Sequence, residues 1–340
     1  MREITYAEAI REAMSEEMRR DNRVLLLGED IGIYGGAFGV SREMIEEFGE
    51  KRIRETPISE AAIVGAAAGA AMTGLRPIAE LMFSDFITLA MDQLVNQAAK
   101  NRYQFGGQRS VPMVVRAPSG SGKGAAAQHS QSIEAWCCHV PGLKVVAPST
   151  PYDAKGLLKS SIRDNNPVVF FEQKSLYPVT GEVPEKKFSE DHLIPLGKAD
   201  IKKEGSDLSI ITYGRMVQMS LAAAKKLGTL GIQVEVVDLR TLVPLDRETI
   251  VDSAKKTGKV LIVHEAVKTG GFGGELVSTI ADSDAFYSLT LPIKRLCGFD
   301  VPIPYNKNLE TYAVPTEKSI YETVLEMINE RPGVKKNETT

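Results

Sequence analysis

Leu143-Lys144-Val145-Val146-Ala147 and Val168-Val169-Phe170-Phe171 are short apolar runs closed off by turn residues, and the helix-like stretch from Ala154 to Ser161 lies between them. A run of four or five apolar residues between turn signals reads as a buried strand. Strand, helix and strand in that order make a crossover between parallel neighbours, so the stretch predicts an α/β fold. The same reading extends outward. Arg23 to Leu27 and Pro112 to Val115 are further strands, and Ala61 to Met72 and Ile87 to Ala99 are further helices. Thr5-Tyr6-Ala7-Glu8 has capping-box spacing, with Ile10, Met14 and Met18 recurring on one face behind it, which predicts an opening amphipathic helix. The expected architecture is a parallel sheet covered by helices on both faces.

From Tyr177 to Glu204 the alternation gives way to Pro178, Gly181, Pro184, Pro195 and Gly197 among mixed charges, the composition of a connection. Strands then resume at Leu208 to Tyr213, Val234 to Asp238, Val260 to His264 and Ile293 to Cys297, with helices at Met216 to Leu227 and Glu275 to Ala281. The expected organisation is a first domain over 1–180, a linker over 181–204, a smaller α/β domain over 205–330 and a frayed tail over 331–340. A chain of 340 residues exceeds the size at which one core usually keeps growing, which also favours two domains.

Hydrophobic residues make up 43% and charged residues 25%, with a formal net charge of -3, as in ordinary globular enzymes. Lys202-Lys203, Lys225-Lys226 and Lys255-Lys256 are isolated pairs, so no nucleic-acid surface is expected. Three cysteines, two of them adjacent at Cys137 and Cys138, build neither a disulfide framework nor a metal knuckle, and a reducing cytoplasm fits. Ala61 to Met72, the longest bland apolar run, is too short for a membrane span, and no signal peptide is visible.

Several stretches have both a chemical and a packing reading. Ala117 to Gly124 places Gly122-Lys123 as a phosphate loop would, yet Ala117 stands at the first glycine and Gly124 at the magnesium-binding hydroxyl; Gly270-Gly271-Phe272-Gly273-Gly274 has Leu276 at the third glycine of a dinucleotide fingerprint. Each reads by itself as a loop or a tight helix entry. Glu60 follows Ser59, which can cap the next helix, and a carboxylate in the first turn is favoured by the helix dipole. The alanines and glycines from Gly65 to Ala71 leave so little bulk that this helix is expected to pack closely, which would bury Glu60. His192, His264 and His139 read as packing or surface residues. His129, in the polar segment Gln128-His129-Ser130-Gln131-Ser132 after a glycine loop, reads as a candidate catalytic group.

Thr56-Pro57-Ile58-Ser59-Glu60, Gly74-Leu75-Arg76-Pro77, Asp92-Gln93, Ala127-Gln128-His129-Ser130-Gln131, Pro141-Gly142-Leu143-Lys144-Val145-Val146 and Asp164-Asn165-Asn166-Pro167 appear in order, followed by Val237-Asp238-Leu239-Arg240-Thr241-Leu242 and Val263-His264-Glu265. In these motifs the chain resembles the β subunit of the thiamine-diphosphate-dependent first component of 2-oxo acid dehydrogenase complexes, over nearly its whole length. The resemblance implies a two-domain thiamine-diphosphate-binding fold, with a pyrimidine-binding domain followed by a transketolase-like C-terminal domain. It places on Glu60 the carboxyl group that activates the cofactor's aminopyrimidine, with Ile58, Met82 and Phe86 beside the ring. It places on His129 the histidine that handles protons during acyl transfer to a lipoyl group. A structural potassium ion is implied at Met113, Ser161, Ile162, Asp164 and Asn166, held mainly by backbone carbonyls.

Thiamine enzymes hold the magnesium-diphosphate through a Gly-Asp-Gly motif, which this sequence does not contain. By resemblance, an α subunit carries that half in an α2β2 heterotetramer that serves a lipoyl acyltransferase core. Gln128 to Ser132, Ala135-Trp136 and Ser149 to Gly156 look nearest to acetoin dehydrogenase β subunits, with pyruvate and branched-chain 2-oxo acid enzymes close behind. A self-contained transketolase-like enzyme would need the diphosphate motif. A non-catalytic scaffold would not need Glu60 and His129 together.

Overall fold

The computed structural model describes residues 1–185 and 192–330, which fall into two units. The first gathers 1–185, 192–198, 240–245 and 302–310, and the second gathers 199–239, 246–301 and 311–330. The expected tail over 331–340 and the 186–191 part of the expected linker lie outside the described residues.

The first unit is built on a seven-stranded sheet in the order Thr241–Val243, Lys144–Val146, Val168–Gln173, Val114–Ser119, Arg76–Glu80, Val24–Gly28 and Ile53–Glu55. All pairs are parallel except Thr241–Val243 against Lys144–Val146. Val168–Gln173 and Val114–Ser119 are buried at every position, because covering a parallel sheet on both faces removes the need for alternation. The helix Tyr6–Arg20 opens with the expected capping box, Thr5 against Glu8. It packs along Pro151–Arg163, and Tyr6, Ile10, Met14, Leu157 and Leu158 join Leu26, Val114 and Phe170 in one core. On this seam the buried ammonium groups of Lys155 and Lys159 pair with Glu12 and Glu16.

Several expectations are revised here. Ile87 to Ala99 is not one α-helix: a tight 3₁₀ segment, Ser84–Ala90, is followed by a wider π-helical one, Asp92–Ala98, and α geometry begins at Ala99. Ile87, Ala90, Leu94 and Ala98 are still buried, so the apolar period survives while the winding changes. Ser59 makes no side-chain cap, because its backbone is turned out of cap geometry at φ -165° and ψ 81°. Arg76–Glu80 is a central strand although Pro77 and its two charged ends disguise it in the sequence. Thr180–Val183, inside the stretch read as a connection, pairs antiparallel with Arg2–Thr5. Thr241–Val243, read as part of the second domain, pairs in the first unit's sheet, with Ala147 N–H donating to the Arg240 carbonyl at 2.8 Å.

The second unit has a five-stranded sheet in the order Lys294–Gly298, Val260–Val267, Leu208–Thr212, Val234–Asp238 and Asp200–Lys203, parallel apart from the last strand. The helices Arg215–Gly228 and Glu317–Asn329 pack together beside it, and Met216, Leu227, Ile320 and Val324 share a core with Leu208, Val236 and Leu261. His264 is buried here, its Nδ1 against the Ala266 carbonyl at 3.1 Å and its Nε2 3.3 Å from Cys297 Sγ, in keeping with a packing role. No helix among the described residues is long and apolar enough to cross a membrane.

Candidate active site

Parallel pairing puts the carboxyl ends of Val24–Gly28, Ile53–Glu55, Arg76–Glu80, Val114–Ser119 and Val168–Gln173 on one edge of the first unit's sheet. Ligands of open α/β sheets bind outside that edge. The segments leaving it carry Glu29, Glu60, Met82 with Phe86, the 120–131 loop with His129, and Lys174, in that strand neighbourhood. Four of these residues were expected at a site from the sequence.

Glu60 is the first residue of the Glu60–Met72 helix and is 7% exposed. Among the described residues its carboxylate makes no hydrogen bond or ion pair. A buried carboxylate needs a partner, so the position fits a ligand that can donate or share a proton. Burial, together with the neighbouring charges of Asp30 and Glu60, holds the Glu29 carboxyl above its ordinary range, so two carboxyl groups face this part of the edge. Ile58 is 75% exposed on the loop before the helix, and Met82 is half-buried just beyond the Arg76–Glu80 strand.

The structure brings Phe86 and His129 together and adds Phe83, which the sequence reading passed over. The His129 ring lies edge-on to Phe83 at 4.5 Å and to Phe86 at 5.3 Å between centroids, and Phe83 and Phe86 are 5.9 Å apart. The Phe83-Ser84-Asp85-Phe86 spacing was the available signal. Asp85 Oδ1 accepts from both the backbone N–H and the side-chain amide of Gln131, at 3.2 and 3.0 Å, and Ser84 Oγ donates to the Gln131 carbonyl at 3.2 Å. These bonds tie the segment that carries His129 to the one that carries Phe86. Lys174 Nζ donates to the His129 carbonyl at 2.6 Å.

Beneath the edge, Arg116 donates twice to Glu172, at 2.6 and 2.8 Å, and also pairs with Glu80; Tyr177 hydroxyl donates to Glu172 at 2.7 Å. Burial pushes the Glu80 carboxyl and the Tyr177 phenol above their usual ranges. The fully buried Arg116 guanidinium thus faces two carboxyl groups, and burial disfavours the charge on Glu80.

The five residues expected to hold a cation lie at the opposite, amino-terminal edge, on segments that precede Val114 and Val168 or end Pro151–Arg163. The carbonyls of Ile162 and Asp164 converge on Arg76 Nη1, 2.9 Å from each. The Met113 carbonyl accepts from Val168 N–H at 2.9 Å and the Ser161 carbonyl from Asp164 N–H at 3.3 Å. Asp164 Oδ1 accepts from the backbone and side chain of Asn166, both at 2.8 Å, and its other oxygen pairs with Lys144. Burial works against the Asp164 charge, but these bonds outweigh it and hold the carboxyl below its ordinary range.

The fold and edge chemistry define a two-domain protein of the transketolase class. Residues 2–180 match the transketolase pyrimidine-binding domain and residues 197–320 the transketolase C-terminal domain, which implies thiamine diphosphate as cofactor. The chain is 50% identical to the β subunit of 2-oxoisovalerate dehydrogenase from Bacillus subtilis, over 91% of this chain and 94% of that one. It is 46% identical to the β subunit of acetoin:2,6-dichlorophenolindophenol oxidoreductase from Bacillus subtilis, covering 97% and 98%, and 45% identical to the human mitochondrial pyruvate dehydrogenase E1 β subunit, covering 96% and 91%. A split-gene transketolase, solved as an inactive β4 tetramer, shares the fold with a TM-score of 0.76 at 24% identity, covering 96% and 98%. The chain belongs to the family of β subunits of the thiamine-diphosphate-dependent E1 components of 2-oxo acid and acetoin dehydrogenases.

Proposed function

We propose that this chain carries the pyrimidine half of a thiamine diphosphate site and that an α subunit completes it with the diphosphate half, magnesium included. The observation that carries the proposal is Glu60, a buried carboxylate without a hydrogen-bonding partner among the described residues, at the edge where the fold places ligands. A carboxyl group at the head of this helix can share a hydrogen-bonded proton with a ring nitrogen. Phe86, Met82 and Ile58 offer apolar surface to a flat ring. His129, held edge-on by two phenylalanines, is a proton carrier for acyl transfer to a lipoyl group. When bound, thiamine diphosphate supplies the electron sink for breaking the bond next to the substrate carbonyl. The chain contains no Gly-Asp-Gly sequence, which supports the division of the site between two polypeptides.

The test is reconstitution. The purified chain alone should bind thiamine diphosphate weakly and show no decarboxylase activity, and addition of the α subunit with magnesium should restore both. Full activity from the isolated chain would overturn the split site. Two substrate readings have specific support. The motifs at Gln128 to Ser132 and Ser149 to Gly156 favour acetoin, and the 50% identity to a 2-oxoisovalerate dehydrogenase subunit favours a branched 2-oxo acid. Rates of the reconstituted pair with acetoin, pyruvate and branched 2-oxo acids decide between them.

A potassium ion is proposed at the carbonyls of Met113, Ser161, Ile162 and Asn166 with Asp164. Each carbonyl oxygen has two lone pairs, so the hydrogen bonds described above leave capacity for a cation. Assembly with an α subunit in an α2β2 heterotetramer, delivery to a lipoyl acyltransferase core and a cytoplasmic location complete the proposal; Cys137, Cys138 and Cys297 form no disulfide among the described residues, which suits a reducing compartment.

A further inference from the structure

The glycine loop that resembles a phosphate loop in sequence has an anion in it, and the anion belongs to the protein. Gly120, Gly122 and Gly124 all have positive φ, at 80°, 96° and 66°, and the N–H groups of Gly122 and Gly124 point to one place. Glu310 fills that point. Its Oε1 accepts from Gly122 N–H at 2.7 Å, and Gly124 N–H is shared between Oε2 at 3.1 Å and Oε1 at 3.4 Å. Glu310 is buried, and it comes from a segment 186 residues further along the chain that packs within the same unit. The other end of the loop is closed by Gly120 N–H on the Gln131 carbonyl at 3.2 Å, and Lys174 holds the His129 carbonyl. The 120–131 loop is therefore anchored at its base by its own backbone and at its glycine turn by Glu310, with His129 between the anchors.

We propose that Glu310 is a positioning residue for His129: its carboxylate clamps the glycine turn, and the clamped turn fixes where the His129 imidazole sits against Phe83 and Phe86. A peptide segment with three left-handed glycines has little intrinsic preference for one shape, since glycine populates both signs of φ with similar ease. Without the carboxylate, the Gly122 and Gly124 donors turn to water and the loop gains a family of conformations. Charge-assisted bonds to backbone N–H groups are the strong kind, so one side chain is enough to select one of them. The importance of His129 rests on the function proposed above, whereas the clamp itself does not.

The experiment separates the two. In the full chain, alone and reassembled with its α partner, Glu310→Gln and Glu310→Ala are compared with wild type by trypsin digestion and by the carbon NMR signal of ¹³Cε1-labelled histidine, with His129 assigned through His129→Gln. Lys123 is exposed at the tip of the turn, so release of the clamp should speed cleavage after Lys123 about tenfold or more while the melting temperature changes little. The His129 signal should shift or broaden in both variants, more in Glu310→Ala, with His192 and His264 unmoved. Glu310→Gln keeps one acceptor oxygen and the shape of the side chain, so it remains informative if Glu310→Ala does not fold. Unchanged cleavage, or an unchanged His129 signal in both variants, overturns the clamp. If the clamp holds while His129→Gln leaves lipoyl acylation at the wild-type rate, the role of His129 fails and the positioning of its ring stands.

Discussion

Lys174 Nζ donates to the His129 carbonyl at 2.6 Å and sits 5.3 Å over the centre of the Phe83 ring, whose face-to-edge contact with His129 spans 4.5 Å. One buried ammonium thus touches both the backbone of the candidate proton carrier and the ring that packs against it. Lys174→Met keeps the stem and removes the charge. The lost bond and the weakened ring contact should cost about 1–3 kcal/mol, read by chemical denaturation. Lipoyl acylation should fall about tenfold or more, because small misplacements of a reacting group are expensive. Wild-type acylation in this variant would remove Lys174 from the positioning of His129.

Glu60→Gln retains the size of the side chain and loses its charge. In the reconstituted assembly, binding of thiamine diphosphate should survive better than turnover, and Glu60→Ala should lose both. Deuterium exchange at the cofactor's thiazolium carbon reports activation before substrate arrives. Equal exchange in wild type and Glu60→Gln would falsify the role given to Glu60.

The potassium proposal predicts a stability effect. An ion bound only by the folded state stabilises it by mass action, so transfer to potassium-free buffer should lower the melting temperature, and potassium should restore it in a saturable way. The converging carbonyls of Ile162 and Asp164 already face Arg76, and Asp164 faces Lys144. Arg76→Gln should therefore raise the apparent potassium affinity. A melting curve indifferent to potassium in wild type and variant alike would rule the ion out.

His264 gives a pH prediction. Burial lowers its pKa to about 4 from 6.5, against the opposing pull of the Ala266 carbonyl and with help from the charge of Arg295. The unfolded chain therefore takes up this proton first as pH falls. Stability from neutral His264 is complete above pH 6.5 and is lost as pH drops toward 4, by about 2 kcal/mol at pH 5 and about 3 kcal/mol in all. His264→Leu should flatten that part of the stability-against-pH curve, measured by denaturation of the second unit. An identical slope in the variant would assign the acid sensitivity to other groups.

Local patterns carried much of the architecture. The capping box at Thr5 and Glu8, the apolar run Val168 to Phe171 and the small-residue helix after Glu60 are each written in a few neighbouring residues, and the structure forms them where the sequence points. The motifs at Glu60 and His129 also sufficed to identify the family. Arg76–Glu80 was missed because the features that suit its place, Pro77 and the buried Glu80, argue locally against a central strand; Arg116 on the next strand pairs with Glu80 there. Thr241–Val243 was assigned to the other domain because backbone pairing is indifferent to distance along the chain.

For the proposed site, the sequence determined which side chains offer chemistry: a carboxyl at Glu60, an imidazole at His129, an aromatic ring at Phe86. The tertiary structure alone decided what holds them. Lys174 binds His129 through a backbone carbonyl, Asp85 reaches Gln131 across the strand edge, and Glu310 enters the glycine turn from the far end of the chain. A carbonyl or an N–H is present at nearly every residue and carries no side-chain signature, so contacts made to the backbone become legible only when the fold has brought their ends together.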